Sequence, residues 1–567
     1  MSLPREAWRA PLVALLLAVG LSAVWMLRGW HDLAALRLPD TDDMVRLQQA
    51  RDWLGGQGFA DLAQHRLGPP PGLEMHWSRL PDLVPAALIL LLTPLLGSHG
   101  AELVAVIVSP ALLFLAVLLL IGSIARRLGA PVITATLVAA LAYPATSLFL
   151  PGRIDHHALQ MVLLLLLVRA LLGTGTLGAG IVAALAITAS LSIGLETLPL
   201  LAVGGAALVL LWVADAPGSR VRLLGFGIAL PLALAGASVL LRTSGWPVSA
   251  CDGFTGLFWR AAQAASLILP ALALFDLSAP RSPRARLLAT VLVGAAALAA
   301  VLLLAPQCLH PYGAVDPLLA RLWLAGVGEA QPLFGTTPAN AVAYAGLAMI
   351  GFAATLVIAL KRRETGWWVV AALILAALAI TCFQLRGAYA AALLVAPALT
   401  VTIATARARG TLVLAAAWIV STGILYPIAG TALFPPKPEP GANCTAPESL
   451  ANLAALPPGH LLAPLDIGAY ALAATPHHVL AAPYHRNNRG NRAMTDFFLG
   501  QPTQSEAIAR AWGIDYVAFC DGDLDRFARV APHGLAEQLR AGAVPDWLVP
   551  VNPDSAAPRI YRLASRH

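Results

Sequence analysis

Asp40-Thr41-Asp42-Asp43 stands a few residues beyond an apolar run at 11–27, and the pairing of those two features decides the fold. Three carboxylates within four residues repel one another. A chain keeps them together for a cation or for proton transfer, or simply as a solvated loop or helix cap. The run before them, placed behind Arg5 and Arg9, is long enough to cross a bilayer. No small-residue cleavage site follows it, so it is read as a retained span and not as a signal peptide. The 567 residues are 58% hydrophobic and 12% charged, with a mean hydropathy of +0.73. These values exclude an ordinary soluble protein and indicate a polytopic α-helical membrane protein. The net charge of +7 does not require nucleic acid, because many arginines fall in short loops between apolar runs. The five cysteines show no CxxC spacing and therefore no zinc or redox motif.

Apolar runs of about 17–25 residues cross a membrane as helices. Thirteen spans are expected near 11–27, 102–125, 131–150, 157–172, 178–195, 197–214, 223–241, 263–280, 287–305, 339–360, 366–383, 387–405 and 411–431. Alternate connections carry Arg126-Arg127, Arg220 and Arg222, Arg281, Arg284 and Arg286, Lys361-Arg362-Arg363, and Arg407 with Arg409. With Arg5 and Arg9 they mark one side as cytoplasmic, so that 28–101, 242–262, 306–338 and 432–567 face outward. Segment 83–96 is apolar but short and flanked by Pro81, Pro85 and Pro94, and is expected to lie at the interface. The proline-rich Phe434-Pro435-Pro436-Lys437-Pro438-Glu439-Pro440 closes the last span. Beyond it, strand-like Tyr516-Val517-Ala518-Phe519 and helical stretches such as 505–512 indicate an α/β domain. The chain thus divides into a membrane domain, 1–432, with outer loops 28–101 and 306–338, and an outer α/β domain, 433–567.

Four outward segments carry groups suited to one chemistry. The acidic segment continues through Arg46 and Arg51 to His76-Trp77-Ser78-Arg79. Asp155-His156-His157, after Pro151-Gly152-Arg153-Ile154, sets oxygen and nitrogen ligands at a membrane boundary. Its plain alternative is a polar helix start. The loop 306–338 holds Glu329 within Gly326-Val327-Gly328-Glu329-Ala330-Gln331-Pro332, a carboxylate able to complete a metal shell. Arg386, in Gln384-Leu385-Arg386-Gly387-Ala388-Tyr389, either snorkels to the interface or binds a lipid phosphate as a fork of donors. Glu196 is a further acid at a tight outward turn.

Taken in order, these motifs resemble those of oligosaccharyltransferase catalytic subunits, within the GT-C glycosyltransferase superfamily. Asp40-Thr41-Asp42 looks like their first acidic motif, and Asp155-His156-His157 like their second, an Asp-x-Glu or Asp-x-Asp. Val327-Gly328-Glu329-Ala330-Gln331-Pro332 resembles their Ser-Val-Ser-Glu-His-Gln-Pro motif. Arg386 falls where that family keeps an arginine for the lipid-linked diphosphate. The resemblance implies a GT-C-like fold and an inverting transfer of a sugar or oligosaccharide from a polyprenyl-phosphate or diphosphate donor. It implies Asp42 as general base beside Asp40 and Asp43. A divalent cation, Mg2+ or Mn2+, would sit on Asp155 and His157 with Asp42 or Glu329, and Arg386 and His156 would hold the donor phosphate. Two departures stand out. His157 replaces the usual second acid, and the Trp-Trp-Asp-Tyr-Gly sequon-reading motif survives at best as Pro464-Leu465-Asp466-Ile467-Gly468-Ala469-Tyr470. The expected acceptor is therefore a glycan, glycolipid or lipid and not an Asn sequon, with no nucleic-acid partner.

The remaining expectations concern the outer domain and the rival function. Tyr484-His485-Arg486-Asn487-Asn488-Arg489 is a dense polar run that either contacts substrate or stays a solvated loop. With Glu196, Asp466 and Tyr470, His485 and Arg486 are candidate acceptor contacts. His477-His478 is expected at the surface. Two disulfides, 444–520 and 251–308, are open to form in an oxidising compartment, and sequence alone establishes neither. The expected location is a bacterial inner (plasma) membrane, with a cytoplasmic N-terminus and a periplasmic C-terminal domain. The rival is a transporter or flippase for a lipid-linked or anionic solute, against which the polar groups cluster at outer span ends and not at the midplane.

Overall fold

Leucine- and alanine-rich runs free of charge become long helices, and these carry most of the first 433 residues. In the computed structural model, residues 3–276, 281–310, 312–435, 443–553 and 557–565 are described, without the side chains of 3–7. The proline-rich stretch at 436–440 and the end of the run placed at 263–280 lie outside the described residues. Among the described residues, eight helices are long and apolar enough to cross a membrane, or nine if one bent pair is counted as a span. That pair, Thr411–Ser421 and Leu425–Leu433, bends by 82°. Three shorter apolar helices, His157–Leu171, Leu177–Ile193 and Leu198–Val213, pack among them. The run placed at 131–150 is a helix only over Val132–Ala140, followed by a turn and a 3₁₀ segment at Ala145–Phe149. Pro144 in that turn has no N–H to continue an α-helical ladder.

Segment 83–96 is a helix of its own that meets the following span at a kink. It runs into the following span as Leu83–Arg127, with a break at Gly97 (φ 70°, ψ 169°). Glycine adopts that backbone without the Cβ penalty other residues meet. The bundle core is small and aliphatic around a few large rings, among them the fully buried Trp212 and Trp367. Pro283–Leu304 by contrast turns its aliphatic chains outward, Leu303 being 82% exposed. An apolar helix left uncovered by protein is suited to lipid.

The outer segments fold together. In the first loop, the helix Thr41–Leu54 is followed by a small hairpin of β1 (Ala63–Gln64) and β2 (Leu73–Glu74). The C-terminal domain forms a five-stranded sheet of β3 (His460–Leu462), β4 (His478–Val479), β5 (Tyr516–Phe519), β6 (Leu548–Pro550) and β7 (Arg559–Leu563), in the order β4-β3-β5-β7-β6. β3 pairs parallel with β4 and β5, and β7 pairs antiparallel with β5 and β6. All four residues of β5 are buried, as a central strand covered on both faces requires. The first loop clasps this domain at its β4 edge. Val479 donates to the Arg66 carbonyl at 2.8 Å and Gly68 donates back to Val479 at 2.9 Å. Arg66 also caps the carbonyls of Leu472, Thr475 and His477.

His477, expected at the surface, is fully buried, its Nε2 at 2.9 Å from the Leu453 carbonyl and its Nδ1 accepting from Gly459 N–H. Only His478 of that pair is exposed. Adjacent residues of an extended strand point to opposite faces. Both disulfides form, Cys251–Cys308 between two outer loops and Cys444–Cys520 within the outer domain, leaving Cys382 as a free thiol. A denatured but unreduced sample treated with maleimide-polyethylene glycol is therefore expected to take one label, and five after reduction, counted by gel shift.

Candidate active site

The acidic segment opens a helix. Asp40 is the N-cap of Thr41–Leu54, its side chain accepting the Asp42 N–H at 3.1 Å, so acids here meet free backbone donors and the positive end of the helix. One turn of helix then carries Asp43 and Arg46 inward on the same face. Gly152 (φ 91°) brings the second motif against them. A Cβ at Gly152 would lie 2.7 Å from Pro39 Cδ, so the approach requires glycine as well as the left-handed backbone. Asp43 Oδ1 then accepts the Asp155 N–H at 2.8 Å, and Arg153 Nη1 lies 2.9 Å from Asp40 and 3.3 Å from Asp43.

Arg46 is the fully buried cation behind this junction. It donates to Asp82 at 2.9 Å and to Asp155 at 3.3 Å, and its guanidinium lies 4.4 Å from the Trp77 ring. His156 is held between two acids, with Nδ1 at 2.5 Å from Asp155 and Nε2 at 3.4 Å from Glu196. Burial disfavours its cation, yet those carboxylates push His156 up to about 10. Burial likewise opposes the charge on Asp155, but the neighbouring imidazoles hold it well below the usual carboxylate range. Asp42 goes the other way. Burial, with the Asp155 and Asp40 carboxylates beside it, pushes Asp42 up to about 7.

His157 Nε2 lies 3.5 Å from Asp155 Oδ2 and 3.3 Å from Glu329 Oε1, so it bridges the second motif to the loop between Leu304 and Pro338. That loop is pinned by backbone bonds from Arg386 to the Glu329 carbonyl (3.1 Å) and from Leu385 to Gln331 (2.9 Å). Arg386 Nη2 stands 3.4 Å from the Glu329 carboxylate. Burial raises the cost of that carboxylate, but His157 and Arg386 together keep Glu329 at about 2. Gly387 sets Arg386 in place. A Cβ there would lie 2.6 Å from the Ala377 carbonyl oxygen, so the two helices meet backbone to backbone.

These groups border one cavity of about 380 Å³ between the helices and the outer domain. Asp42, His156, His157, Glu196, Glu329 and Arg386 line one side of it. Asp155 lies just behind the two histidines. The expected residues therefore separate into two groups. Asp40 and Asp43 do not line the cavity among the described residues and are turned to Arg153. Asp466 is exposed on the helix Leu465–Ala474, and Tyr470 on that helix donates to the Leu38 carbonyl at 3.0 Å, both away from the cavity. Arg486 is a bidentate partner of Asp252 at 2.7 and 2.6 Å, whereas the adjacent His485, 2.6 Å from the same acid, does line the cavity. Sequence inspection did not single out Tyr312, Trp323 or the individual role of Tyr484, which all line it too. Nothing in their local sequence marks them, because each is an ordinary aromatic until the loops converge.

The cavity fits a divalent cation by its donor chemistry. Asp155, His156 and His157 set ligand atoms within 4.8 Å of one another, and Asp42 and Glu329 border the cavity beside them, Asp42 being hard to ionise without added positive charge. No protein-family model matches the sequence, and no curated protein matches it. Its structure, however, is similar to that of archaeal oligosaccharyltransferase AglB from Archaeoglobus fulgidus, solved with an inhibitory peptide and a dolichol-phosphate. The TM-score is 0.67 at 15% identity, over 99% of this chain and 75% of that one. The apo form of the A. fulgidus enzyme gives 0.68 at 14% identity over 97% and 74%. Its complex with Zn and sulfate gives 0.63 at 14% over 98% and 73%. The chain therefore shares the fold of these structures over nearly its whole length, helix bundle and C-terminal domain together.

Removing the buried cation tests this arrangement. Arg46→Met leaves Asp82 and Asp155 buried without it, at a cost of about 3–5 kcal/mol. A lowered apparent Tm in detergent, with Arg46→Lys intermediate because lysine lacks the planar fork, is the expected outcome.

Proposed function

We propose that the protein is a metal-dependent membrane glycosyltransferase of the GT-C type. It moves a sugar or oligosaccharide from a polyprenyl-phosphate or diphosphate donor to a glycan, glycolipid or lipid at the outer face of a bacterial inner membrane. The single observation carrying this reading is the convergence, in one cavity, of Arg386 with Asp42, His157 and Glu329 from three distant stretches of chain. The neighbouring complexes with dolichol-phosphate and with an acceptor peptide containing the NVT sequon support a lipid-linked donor and an acceptor entering the same fold.

Asp155, His157, Asp42 and Glu329 would hold the cation, Mg2+ or Mn2+, which when bound supplies electrophilic stabilisation of the departing phosphate. Arg386 presents a buried guanidinium fork to the same phosphate, and its Nε has no hydrogen-bond partner among the described residues. The acceptor hydroxyl attacks the anomeric carbon from the face opposite the leaving phosphate, which inverts the configuration. Asp42 takes the hydroxyl proton as general base. Asp40 and Asp43 act through Arg153 and the Asp155 backbone, holding the second motif at the right distance. His156, locked between Asp155 and Glu196, keeps positive charge beside the phosphate position. The transporter or flippase alternative finds less support, because the polar groups gather in one cavity at the helix ends.

Two measurements test this assignment. Detergent-extracted protein should consume a polyprenyl-linked sugar only with a divalent metal, and EDTA should abolish turnover. Asp42→Asn should lower kcat by at least about 100-fold while leaving thermal stability intact, the usual scale for loss of a general base. Arg386→Ala should weaken binding of polyprenyl phosphate, whereas normal binding in that variant would remove Arg386 from the phosphate site.

A further inference from the structure

The cavity that holds the carboxylates is also lined by rings. Tyr312, Trp323, Tyr484, His485 and His76 line it, with Pro483 between them. Apart from Trp323, the rings pack into a continuous chain through Trp77. Tyr312 meets His485 edge to face at 5.3 Å and 86°, His485 meets His76 at 4.7 Å, and His76 leans on Trp77 at 4.9 Å. Trp77 in turn stands perpendicular to Tyr484 at 5.4 Å. Such a surface has apolar ring faces and a few polar edges.

It is also held rigid from behind. His485 Nε2 lies 2.6 Å from Asp252, which Arg486 clamps with two bonds, and the Met75 carbonyl receives a further Arg486 bond at 3.0 Å. Asp252 follows Cys251, whose disulfide to Cys308 ties its loop to the segment that carries Tyr312. Trp323 packs against the core of the outer domain. Pre-organisation of this kind reduces what binding must spend on ordering side chains.

The routes by which a peptide would dock are closed or displaced. One edge of the outer sheet, β4, is already taken by Arg66 and Gly68 of the first loop, so an extended peptide cannot add there. Asp466 and Tyr470 stand outside the cavity. A purely lipidic acceptor would be poorly matched by a wall whose rings carry imidazole and phenol edges. A pyranose suits it: C–H groups on one face pack on the ring faces, and hydroxyls bond to polar ring edges such as that of Tyr312.

We infer that the wall formed by Tyr312, Trp323, Tyr484, His485 and His76 is the acceptor subsite and that the acceptor is a carbohydrate. This rests on the transferase reading and names the substrate class of that same cavity. The sugar hydroxyl would then reach Asp42, beside which Tyr484 stands with its hydroxyl 3.4 Å from the Thr41 carbonyl.

The test is saturation-transfer NMR on the full-length protein in detergent, with maltotriose, cellotriose, chitotriose and mannotriose as probes. At least one trisaccharide should bind with its ring C–H protons saturated. Tyr312→Ala and Trp323→Ala should each weaken it tenfold or more, while Tyr312→Phe, which keeps the ring, retains it. Polyprenyl phosphate, measured in parallel, should bind all three variants as it binds the wild type. Two outcomes overturn the inference and leave the transferase reading standing. One is polyprenyl phosphate bound with no trisaccharide bound; the other is an Asn-x-Thr hexapeptide bound and lost in the two alanine variants. Trisaccharide binding that depends on Tyr312 and Trp323, without any polyprenyl phosphate binding, would support the sugar site and overturn the donor assignment.

Discussion

A buried arginine organises the outer half of this molecule. Arg46 has no access to solvent and is surrounded by Asp82, Asp155 and the face of Trp77. A guanidinium so placed carries a desolvation cost of several kcal/mol that only close, well-directed partners offset. Arg46 lies on the first helix after the acidic segment, and its partners come from the stretch just before the long helix Leu83–Arg127 and from the second motif. Meeting the needs of one charge therefore draws three separate stretches of chain to a single point. Asp43 and Arg153 repeat the device one turn away, with the acid accepting the Asp155 N–H and the arginine covering the acid.

The same accounting explains why the acids behave differently from one another. Asp155 and Glu196 flank His156 and stay ionised, and Glu329 is held down by His157 and Arg386. Asp42, with no cation of its own among the described ion pairs, is the cavity-lining carboxyl whose charge is least supported. A site with one under-supported acid beside several firmly ionised ones is suited both to taking up a metal and to taking a proton. The outer domain contributes to the same cavity, since Tyr484 and His485 line it beside the carboxylates.

Much of the candidate site was legible in sequence because its groups are chemically unusual where they stand. Asp42, Asp155, His157, Glu329 and Arg386 are ionisable residues at the ends of apolar runs, where desolvation makes such groups rare without a purpose. Asp40 and Asp43 drew notice for the same reason. Yet composition does not distinguish a carboxylate that faces the cavity from one that faces an arginine two residues further along. Which is which depends on the helical phase set by the Asp40 cap. Asp466 and Tyr470 illustrate the opposite limit. They stand in a stretch that resembles a substrate-reading motif, but its helix packs beneath the first loop and leaves Tyr470 bonded to the Leu38 carbonyl.

Sequence by itself determined the membrane character of the chain, the α/β character of its outer domain and the residue types available for catalysis. These follow from hydropathy, from period and from charge, which are local properties. The tertiary structure alone decided where helices break, as at Gly97 and after Ala140, and that the first loop seals the β4 edge. It also decided that both cysteine pairs meet and that five aromatic residues from separate segments form one wall. Those features depend on contacts between residues far apart in sequence. Such contacts are fixed by packing and by the pairing of buried charge, which no local pattern encodes.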